Sequence, residues 1–469
     1  MFSLQAASSA AEIASAVKAQ QITAQAVIEF FLERIARHNP TLNAFTEVLT
    51  ERALATAAAI DKKIAAGINP GALAGVPFSV KNLFDVAGIT TLAGSKINRS
   101  NTPASRDAVL IERLEAEGAI LVGAVTMGEY AYDFTGENAH YGNCHNPWDT
   151  SRMSGGSSSG SGACVGGMLA PLSLGSDTNG SIRVPSSLCG LVGLKPTYGR
   201  LPRTRSFPFC DSLDHLGPLA RSVTDLALSF DAMQGYDAGD HGCADRSPVA
   251  TLATLNDGIE GLTIKKAAGY FDCQDFPQAE QALAKISAAL GATESIAVPG
   301  AKEGRSAAYL ITNAESSRLH LPRLQTQPEN FDHDTRDRFI AGTMLPALWT
   351  TRAHQVRHWY LQQVLNMFQE VDVILAPATP CVAPKIGEKI LRIGGEDLPL
   401  RPNLGYFTQP ISAIGLPVCV VPTIDDDSHL PIGVQIIAAP WREDLCLRVA
   451  KVLEEKGYTV LEAGAFGND

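Results

Sequence analysis

A run of glycines and serines in the first half of the chain constrains its fold more than any other feature. Residues 155–162 read Gly-Gly-Ser-Ser-Ser-Gly-Ser-Gly and continue directly into the small apolar stretch 163–170. A flexible linker is the simplest alternative for such a run. Small apolar residues directly after it favour a buried helix that packs closely against a sheet. We therefore expect this segment to lie inside the folded core.

A second loop of small polar residues, at 175–183, has the pattern of a backbone nest. Four successive N–H groups in this loop can converge on one oxyanion. They belong to Thr178, Asn179, Gly180 and Ser181. The loop would present Ser181 at the start of a helix or turn, where the positive end of the helix favours an alkoxide. We expect Asp177 and Arg183 to form a partly buried ion pair that fixes the shape of the loop.

Lys81, at the end of the apolar stretch 76–80, is the candidate base for a serine nucleophile. The ten histidines lie away from both serine loops, so the sequence gives no local support to a serine–histidine pair. A lysine that follows an apolar strand enters a desolvated site, where burial lowers its pKa. The alternative is a surface lysine at the end of a strand. Asp85 would oppose the pKa shift if it paired with the amine, and we expect it to point elsewhere.

Composition is ordinary for a soluble globular protein of 469 residues, with 45% hydrophobic and 19% charged residues. The net charge of −11 makes a nucleic-acid partner unfavourable. The nine cysteines are scattered and form no CxxC pair, which predicts free thiols in a reducing compartment. Cys144 lies between two nearby histidines, but no second ligand cluster follows, so we predict neither a metal nor a cofactor. With no signal-peptide pattern and no membrane-spanning run, the sequence predicts a cytoplasmic protein without a membrane partner.

Short apolar strands alternate with helical segments, which predicts an α/β fold with a large sheet covered by helices on both faces. The predicted helices are 11–20, 24–38, 52–66, 107–118, 163–170, 277–290, 334–370 and 444–456. The predicted strands are 75–80, 119–123, 168–174, 190–194, 264–268, 371–376, 418–422 and 431–437. Thr23 is the expected N-cap of the second helix, and Asn39-Pro40 its expected end.

We expect a single domain that spans residues 1–469. Its parts are N-terminal helices at 1–65, a core at 66–235, a peripheral α/β region at 236–330 and the C-terminal part of the core at 331–469. The sequence contains no internal repeat and no low-complexity linker that would divide these parts.

The motifs around Lys81 and the two serine loops resemble those of the amidase signature family of Ser-Ser-Lys hydrolases. The resemblance rests on Gly155-Gly156-Ser157-Ser158, on the pattern Gly175-x-Asp177-Thr178-x-Gly180-Ser181-Ile182-Arg183, and on residues 189–200. It continues at 146–149, 212–218, 376–380 and 415–417, and therefore covers most of the chain. It implies the amidase signature fold, with a large mixed sheet in one domain.

The resemblance also implies catalytic roles. Ser181 would be the nucleophile that forms an acyl intermediate, and Ser157, after a cis peptide bond with Gly156, would relay its proton to Lys81. Many family members have glycine at the position of Asn179. Because asparagine tolerates left-handed backbone, the nest can survive the change, and the amide would project toward the acyl pocket. A small, polar substrate is therefore expected.

The substrate is expected to carry a carboxylate. Arg336 and Arg338 fall where glutamine-using relatives place a carboxylate-binding arginine, and Tyr309 falls near a substrate-contacting tyrosine; a solvated arginine on a helix is the alternative for each. The stretch 178–190 looks most similar to the carboxybiuret hydrolase branch of s-triazine and cyanuric acid degradation. We therefore predict hydrolysis of a C–N bond in a 1-carboxybiuret-like urea or biuret, with release of ammonia.

Three alternatives remain open at this stage. One is the glutamine-hydrolysing A-type component of a tRNA-dependent amidotransferase, although Leu404, Gly405 and Tyr406 stand where those relatives usually carry an acid. The others are a broad small-amide amidase and a catalytically silent scaffold. The resemblance implies a small helical companion similar to the C component of the amidotransferase, and the apolar N-terminal helices suit a homodimer.

Overall fold

The computed structural model describes residues 2–459 and residue 466. Within that part of the chain there are fifteen α-helices: α1 (Ala10–Lys18), α2 (Ala24–Leu42), α3 (Thr50–Ala65), α4 (Val109–Ala116), α5 (Ser159–Gly166), α6 (Arg183–Cys189), α7 (Val223–Met233), α8 (Thr251–Thr254), α9 (Pro277–Leu290), α10 (Ala301–Thr326), α11 (His333–Thr343), α12 (Ala347–Met367), α13 (Leu400–Asn403), α14 (Gln409–Ala413) and α15 (Glu443–Glu455).

The same residues form thirteen strands: β1 (Phe45–Val48), β2 (Pro77–Lys81), β3 (Ile120–Val125), β4 (Leu172–Asp177), β5 (Val192–Lys195), β6 (His215–Ala220), β7 (Ile264–Ala268), β8 (Ser295–Ala297), β9 (Val373–Pro377), β10 (Ile390–Ile393), β11 (Glu396–Pro399), β12 (Val418–Ile424) and β13 (Pro431–Ala438). Eleven of them form one mixed sheet in the order β1-β3-β2-β4-β6-β5-β12-β13-β9-β7-β8, and β10 and β11 pair separately. The prediction of a large mixed sheet in an α/β fold is confirmed.

Helices cover both faces of the large sheet. Every residue of β2, β4 and β13 is buried, which requires cover on both sides of each strand. β2 runs parallel to its neighbours β3 and β4, so the carboxyl ends of these three strands meet at one edge. This edge brings the end of β2 beside the loop that follows β4.

The glycine and serine run lies in the core, and a linker is excluded. Residues 153–170 are all buried. The helix predicted at 163–170 is displaced, because α5 begins within the serines at Ser159 and the left-handed Met168 (φ 57°) lies beyond its end. A Cβ atom on Gly160 would lie 2.5 Å from the carbonyl oxygen of Ala44. The small residues therefore allow α5 to approach the neighbouring backbone closely.

Helix α2 shows one confirmed and one wrong prediction. The Thr23 side chain accepts a hydrogen bond from the Ala26 N–H at 3.1 Å and caps the helix as predicted. The helix does not end at Asn39-Pro40 but continues to Leu42. Pro40 sits in the last turn, where it removes only one hydrogen bond, and the left-handed Asn43 (φ 49°) closes the helix.

The structure contains elements that the sequence patterns did not predict. α10 and β6 were not predicted, and the single helix expected at 334–370 is divided into α11 and α12, with Pro346 as the N-cap of α12. Region 236–330 contributes β7 and β8 to the edge of the same large sheet. None of the helices in the described ranges is long and apolar enough to cross a membrane. All nine cysteines are free, and eight are buried.

Candidate active site

Lys81 ends strand β2 and lies completely inside the protein. Its Nζ atom is 2.7 Å from the Ser157 hydroxyl oxygen and 2.9 Å from the Ser176 hydroxyl oxygen. Burial lowers the pKa of this amine from 10.5 to about 7, and the charges of Asp177, Asp214 and Asp133 act in the opposite direction. The lysine is therefore in contact with a serine hydroxyl and is partly neutral near pH 7.

Asp85, four residues after Lys81, does not pair with the amine. Its carboxylate accepts a hydrogen bond of 2.5 Å from the hydroxyl of Thr91, six residues further along the chain. The carboxylates that raise the pKa of Lys81 come from other segments of the chain. The expectation that Asp85 points elsewhere is confirmed.

Ser157 is held by the turn that precedes α5. The Gly156–Ser157 peptide bond is cis, as the resemblance implied. The buried carboxylate of Asp133 accepts hydrogen bonds from the N–H groups of Thr135 and Gly136, and its Oδ2 atom would lie 2.4 Å from a Cβ on Gly156. Only glycine fits this close approach. Asp133 and the glycine together fix the position from which the Ser157 hydroxyl reaches Lys81.

Asp177 and Arg183 form the predicted ion pair, but it is fully buried and not partly buried. Two hydrogen bonds of 2.9 Å join the guanidinium to the carboxylate. Burial alone would raise the pKa of Asp177, but the adjacent guanidinium holds the pKa well below its usual range. The other Arg183 N–H groups donate to the Thr408 carbonyl at 3.0 Å, the Gln435 side chain at 2.7 Å and the Ser412 hydroxyl at 2.5 Å. The loop is thus tied to the C-terminal part of the sheet.

The predicted nest has free backbone donors. The N–H groups of residues 178–181 form no hydrogen bond with any of the described residues. The positive φ in this loop falls on Gly180 (+143°) and not on Asn179, so the nest does not depend on the tolerance of asparagine for left-handed backbone. A Cβ on Gly180 would lie 2.2 Å from the Thr408 hydroxyl oxygen. Helix α6 begins two residues after Ser181.

A narrow pocket of about 20 Å³ opens beside Ser181, enough for little more than one water molecule. Its walls include Tyr132, Asn179, Tyr309, Thr312, Arg338 and Gln409. Tyr309 is 45% exposed at the protein surface. The Arg338 guanidinium stacks on the Tyr132 ring, 3.4 Å from its centroid, and donates to the Tyr132 carbonyl at 3.0 Å. A substrate larger than water requires these surface residues to move apart.

The two candidate arginines occupy different environments. Arg338 lines the pocket that contains Ser181. Arg336 does not line it, and its Nε atom donates to Asp337 at 3.0 Å on the exposed side of α11. The two positions are half a helical turn apart, so they face different directions. Arg336 as a carboxylate anchor is therefore not supported.

The family match agrees with this geometry. The amidase family model matches residues 26–447 of the chain. The protein belongs to the amidase family. It is accordingly a hydrolase that acts on amide C–N bonds.

Two curated relatives of this amidase cover nearly its whole length. AtzE of Pseudomonas sp. strain ADP, which is one subunit of a 1-carboxybiuret hydrolase, is 48% identical over 452 residues, or 96% of this chain and 99% of the relative. The A component of the glutamyl-tRNA(Gln) amidotransferase of Carboxydothermus hydrogenoformans is 36% identical over 478 residues, or 95% of this chain and 96% of the relative.

A solved structure agrees with the fold of this amidase. It superposes with a TM-score of 0.95 at 48% identity and covers 96% of this chain and 99% of the other chain. It is described as a vestigial protein complex that reveals the evolutionary origins of an s-triazine catabolic enzyme.

Sequence reasoning missed three residues of this amidase site. Ser176 is the second partner of the Lys81 amine, Asp133 organises the Ser157 turn, and Thr408 supports the nest from a distant segment. For Asp133 a local signal exists, because Asp-x-Thr-Gly is typical of an Asx turn. For Thr408 there is none, since it lies 229 positions from Asn179, whose carbonyl accepts a hydrogen bond from the Thr408 hydroxyl.

Proposed function

We propose that this protein hydrolyses a small carboxylated urea or biuret, similar to 1-carboxybiuret, and releases ammonia. The observation that carries the proposal is the narrow pocket, in which Ser181 and the Arg338 guanidinium share one cavity. A partly neutral amine lies behind it in contact with Ser157. The 48% identity with one chain of a 1-carboxybiuret hydrolase over nearly the whole length supports the same substrate class.

The proposed reaction begins with proton transfer to Lys81. Ser157 gives its hydroxyl proton to the neutral amine and takes up the proton of Ser181, whose oxygen attacks the substrate carbonyl carbon. The tetrahedral oxyanion then accepts hydrogen bonds from the free N–H groups of residues 178–181. Each such donor typically contributes roughly 2.7–4 kcal/mol to transition-state stabilisation.

Lys81 then acts as an acid. It returns its proton through Ser157 to the leaving nitrogen, so that ammonia departs and an acyl-Ser181 ester remains. A water molecule, deprotonated along the same route, attacks the ester carbonyl and frees Ser181. An amine with a pKa of about 7 suits both directions, because it accepts and donates a proton readily near neutral pH.

Arg338 is the proposed anchor for the substrate carboxylate. Its guanidinium already lies against Tyr132, and Tyr309 is close to the surface of the same pocket. A planar guanidinium fork matches the two oxygens of a carboxylate. The pocket has to widen to admit even a small carboxylated urea, and a long acyl chain would require far more space.

We also propose a small helical companion protein. Its support is that the curated relative is one part of a larger enzyme and that the solved structure is described as a protein complex. Nine free thiols fit assembly in the cytoplasm, a reducing compartment. Co-expression with candidate small helical proteins, followed by affinity capture of this chain, tests the companion; recovery of the chain alone with full activity contradicts it.

A homodimer through the N-terminal helices remains a second proposal, which sedimentation velocity decides.

Replacement of the nucleophile tests the activity itself. We expect Ser181→Ala to lower ammonia release from carboxylated ureas by at least about 10⁴-fold, because no other group forms the acyl bond. Ser161→Ala is the matched control, since Ser161 belongs to the same serine-rich segment but its hydroxyl donates only to the Leu174 carbonyl. The proposal fails if Ser181→Ala keeps its activity, or if the wild-type protein releases ammonia from glutamine but from no carboxylated urea.

A further inference from the structure

The Asn179 side chain leaves one hydrogen-bond acceptor unused beside the nucleophile. Its amide nitrogen donates to the Thr312 hydroxyl oxygen at 2.8 Å, and its backbone carbonyl accepts from the Thr408 hydroxyl at 2.7 Å. The Oδ1 atom is buried and has no partner among the described residues, and the whole residue is only 8% exposed. A buried acceptor without a partner is unfavourable, so a donor is expected to reach it.

A ligand bound in the pocket is in a position to supply this donor. Asn179 and Thr312 both line the pocket that contains Ser181, two residues further along the loop. In this arrangement the amide nitrogen is held by Thr312 and the backbone carbonyl by Thr408, which leaves Oδ1 as the unpaired polar atom of the residue. A molecule whose carbonyl carbon lies on Ser181 would place its neighbouring atoms near this oxygen.

We infer that Asn179 Oδ1 accepts a hydrogen bond from an N–H on the acyl side of the scissile carbonyl. Ureas and biurets carry an N–H in that place, whereas ordinary carboxamides carry carbon. Asn179 would thus select ureido compounds over carboxamides, and Arg338 would separately select the carboxylate. The inference rests on the proposed function and names the group by which the same pocket recognises its substrate.

Two isosteric probes separate these recognition steps. N-carbamoylglycine and succinamate are both small carboxylates that lose ammonia, and they differ only in an N–H or a CH₂ beside the scissile carbonyl. Water converts the first into ammonia and N-carboxyglycine, which loses carbon dioxide, and the second into ammonia and succinate. In each case the C–NH₂ bond breaks and a C–O bond forms through acyl-Ser181. Because intrinsic reactivities differ, the quantity compared is the change in the kcat/KM ratio between variant and wild type.

Asn179→Ala is expected to lower kcat/KM for N-carbamoylglycine by roughly 3- to 10-fold more than for succinamate, the effect of one lost neutral hydrogen bond. Asn179→Asp keeps an acceptor and is expected to keep the preference. Thr312→Val releases the amide nitrogen and should shift the ratio in the same direction as Asn179→Ala. Arg338→Gln, in contrast, should lower kcat/KM for both substrates by the same factor, because both carry the carboxylate.

A second readout does not require turnover. A serine-directed phosphonate is expected to label Ser181, and each probe is expected to protect the serine from labelling according to its affinity. We expect N-carbamoylglycine to protect better than succinamate in the wild type, and this difference to vanish in Asn179→Ala. If labelling shows the difference but neither compound is cleaved, the proposed function is wrong and the inference holds. If Asn179→Ala changes kcat/KM by the same factor for both compounds, and also changes their protection of Ser181 by the same factor, the inference is overturned.

Discussion

The charge state of a single buried amine controls the chemistry proposed for this protein. Burial lowers the pKa of Lys81, while the charges of three carboxylates raise it. The balance leaves a pKa of about 7. The apolar stretch before Lys81 predicts its burial, but the sequence gives no sign that Asp214 contributes to its charge. Residue 214 lies 133 positions further along and reaches the site through its hydrogen bond with the Thr178 hydroxyl at 2.6 Å.

The pH dependence of activity should follow this balance. Because only the neutral amine accepts a proton, we expect kcat/KM to fall below a pH of about 7. Asp214→Asn removes a negative charge that favours the ammonium form, so the lysine stays neutral to lower pH and the acid limb moves downward. The measurement is the pH profile of ammonia release. Asp85→Asn is the control and should leave the acid limb in place, since Asp85 pairs with Thr91; an equal shift in both variants would refute the assignment.

Among the structural elements, the loop between β4 and α6 depends most on distant parts of the chain. Its local features follow from the sequence: an ion pair at its ends, a glycine inside it and a helix after it. Its support does not, because Arg183 is anchored on residues 225 to 252 positions away. The same distance hides the need for a glycine at position 180, since the contact with Thr408 that requires it is not visible in the local sequence.

Gly180→Ala should show how closely this loop is packed. A Cβ atom would lie 2.2 Å from the Thr408 hydroxyl oxygen at a φ that only glycine adopts easily, so we expect destabilisation by about 2–4 kcal/mol and loss of most activity. Gly88→Ala is the matched control, because Gly88 also has a positive φ (+88°) but nothing lies within 4 Å of its would-be Cβ. Gly88→Ala should lower the free energy of unfolding, measured in urea, by about 1 kcal/mol. Equal costs for the two variants would mean that packing against Thr408 is unimportant.

At the scale of the whole molecule, the sequence predicts the fold class but not the arrangement of the strands. Alternating helices and short apolar strands indicate a sheet with helices on both faces, and β7 and α9 were predicted with their observed bounds. The pairing of β5 with β12 joins segments more than 220 residues apart, and no pattern in either strand specifies it. Strand β6 was not predicted because it contains Gly217-Pro218, a pair typical of turns.

Helix α10 escaped prediction for a packing reason. It buries mainly small or polar side chains and lacks the broad apolar face by which a helix is identified. Its Gly304 lies against the Tyr360 ring, where a Cβ would come within 2.4 Å. The large apolar partner is supplied by α12, so the signal belongs to the pair of helices and not to either sequence alone.

One buried histidine should make the whole protein sensitive to acid. His320, on α10, is packed among the rings of Tyr130, Phe331 and Phe339, and neither of its nitrogens has a hydrogen-bond partner among the described residues. Burial lowers its pKa from 6.5 to about 3. Between those values the unfolded chain takes up a proton that the folded chain does not, so stability falls as the pH falls below about 6.5.

His320→Leu should remove this contribution. We expect the free energy of unfolding to fall less between pH 7 and pH 4 in the variant than in the wild type, by about 1–3 kcal/mol, as measured by urea denaturation at both values. His358→Leu is the control, because this histidine is exposed on α12. A pH dependence that is the same in wild type and His320→Leu would exclude His320 as an acid-sensitive group.

The guanidinium of Arg183 contacts Thr408, Ser412 and Gln435, so the loop bearing the nucleophile takes its final form only when the last third of the polypeptide is present. We therefore expect a truncated chain that lacks residues 408–435 to leave Arg183 without these contacts and the loop that carries Ser181 incompletely formed.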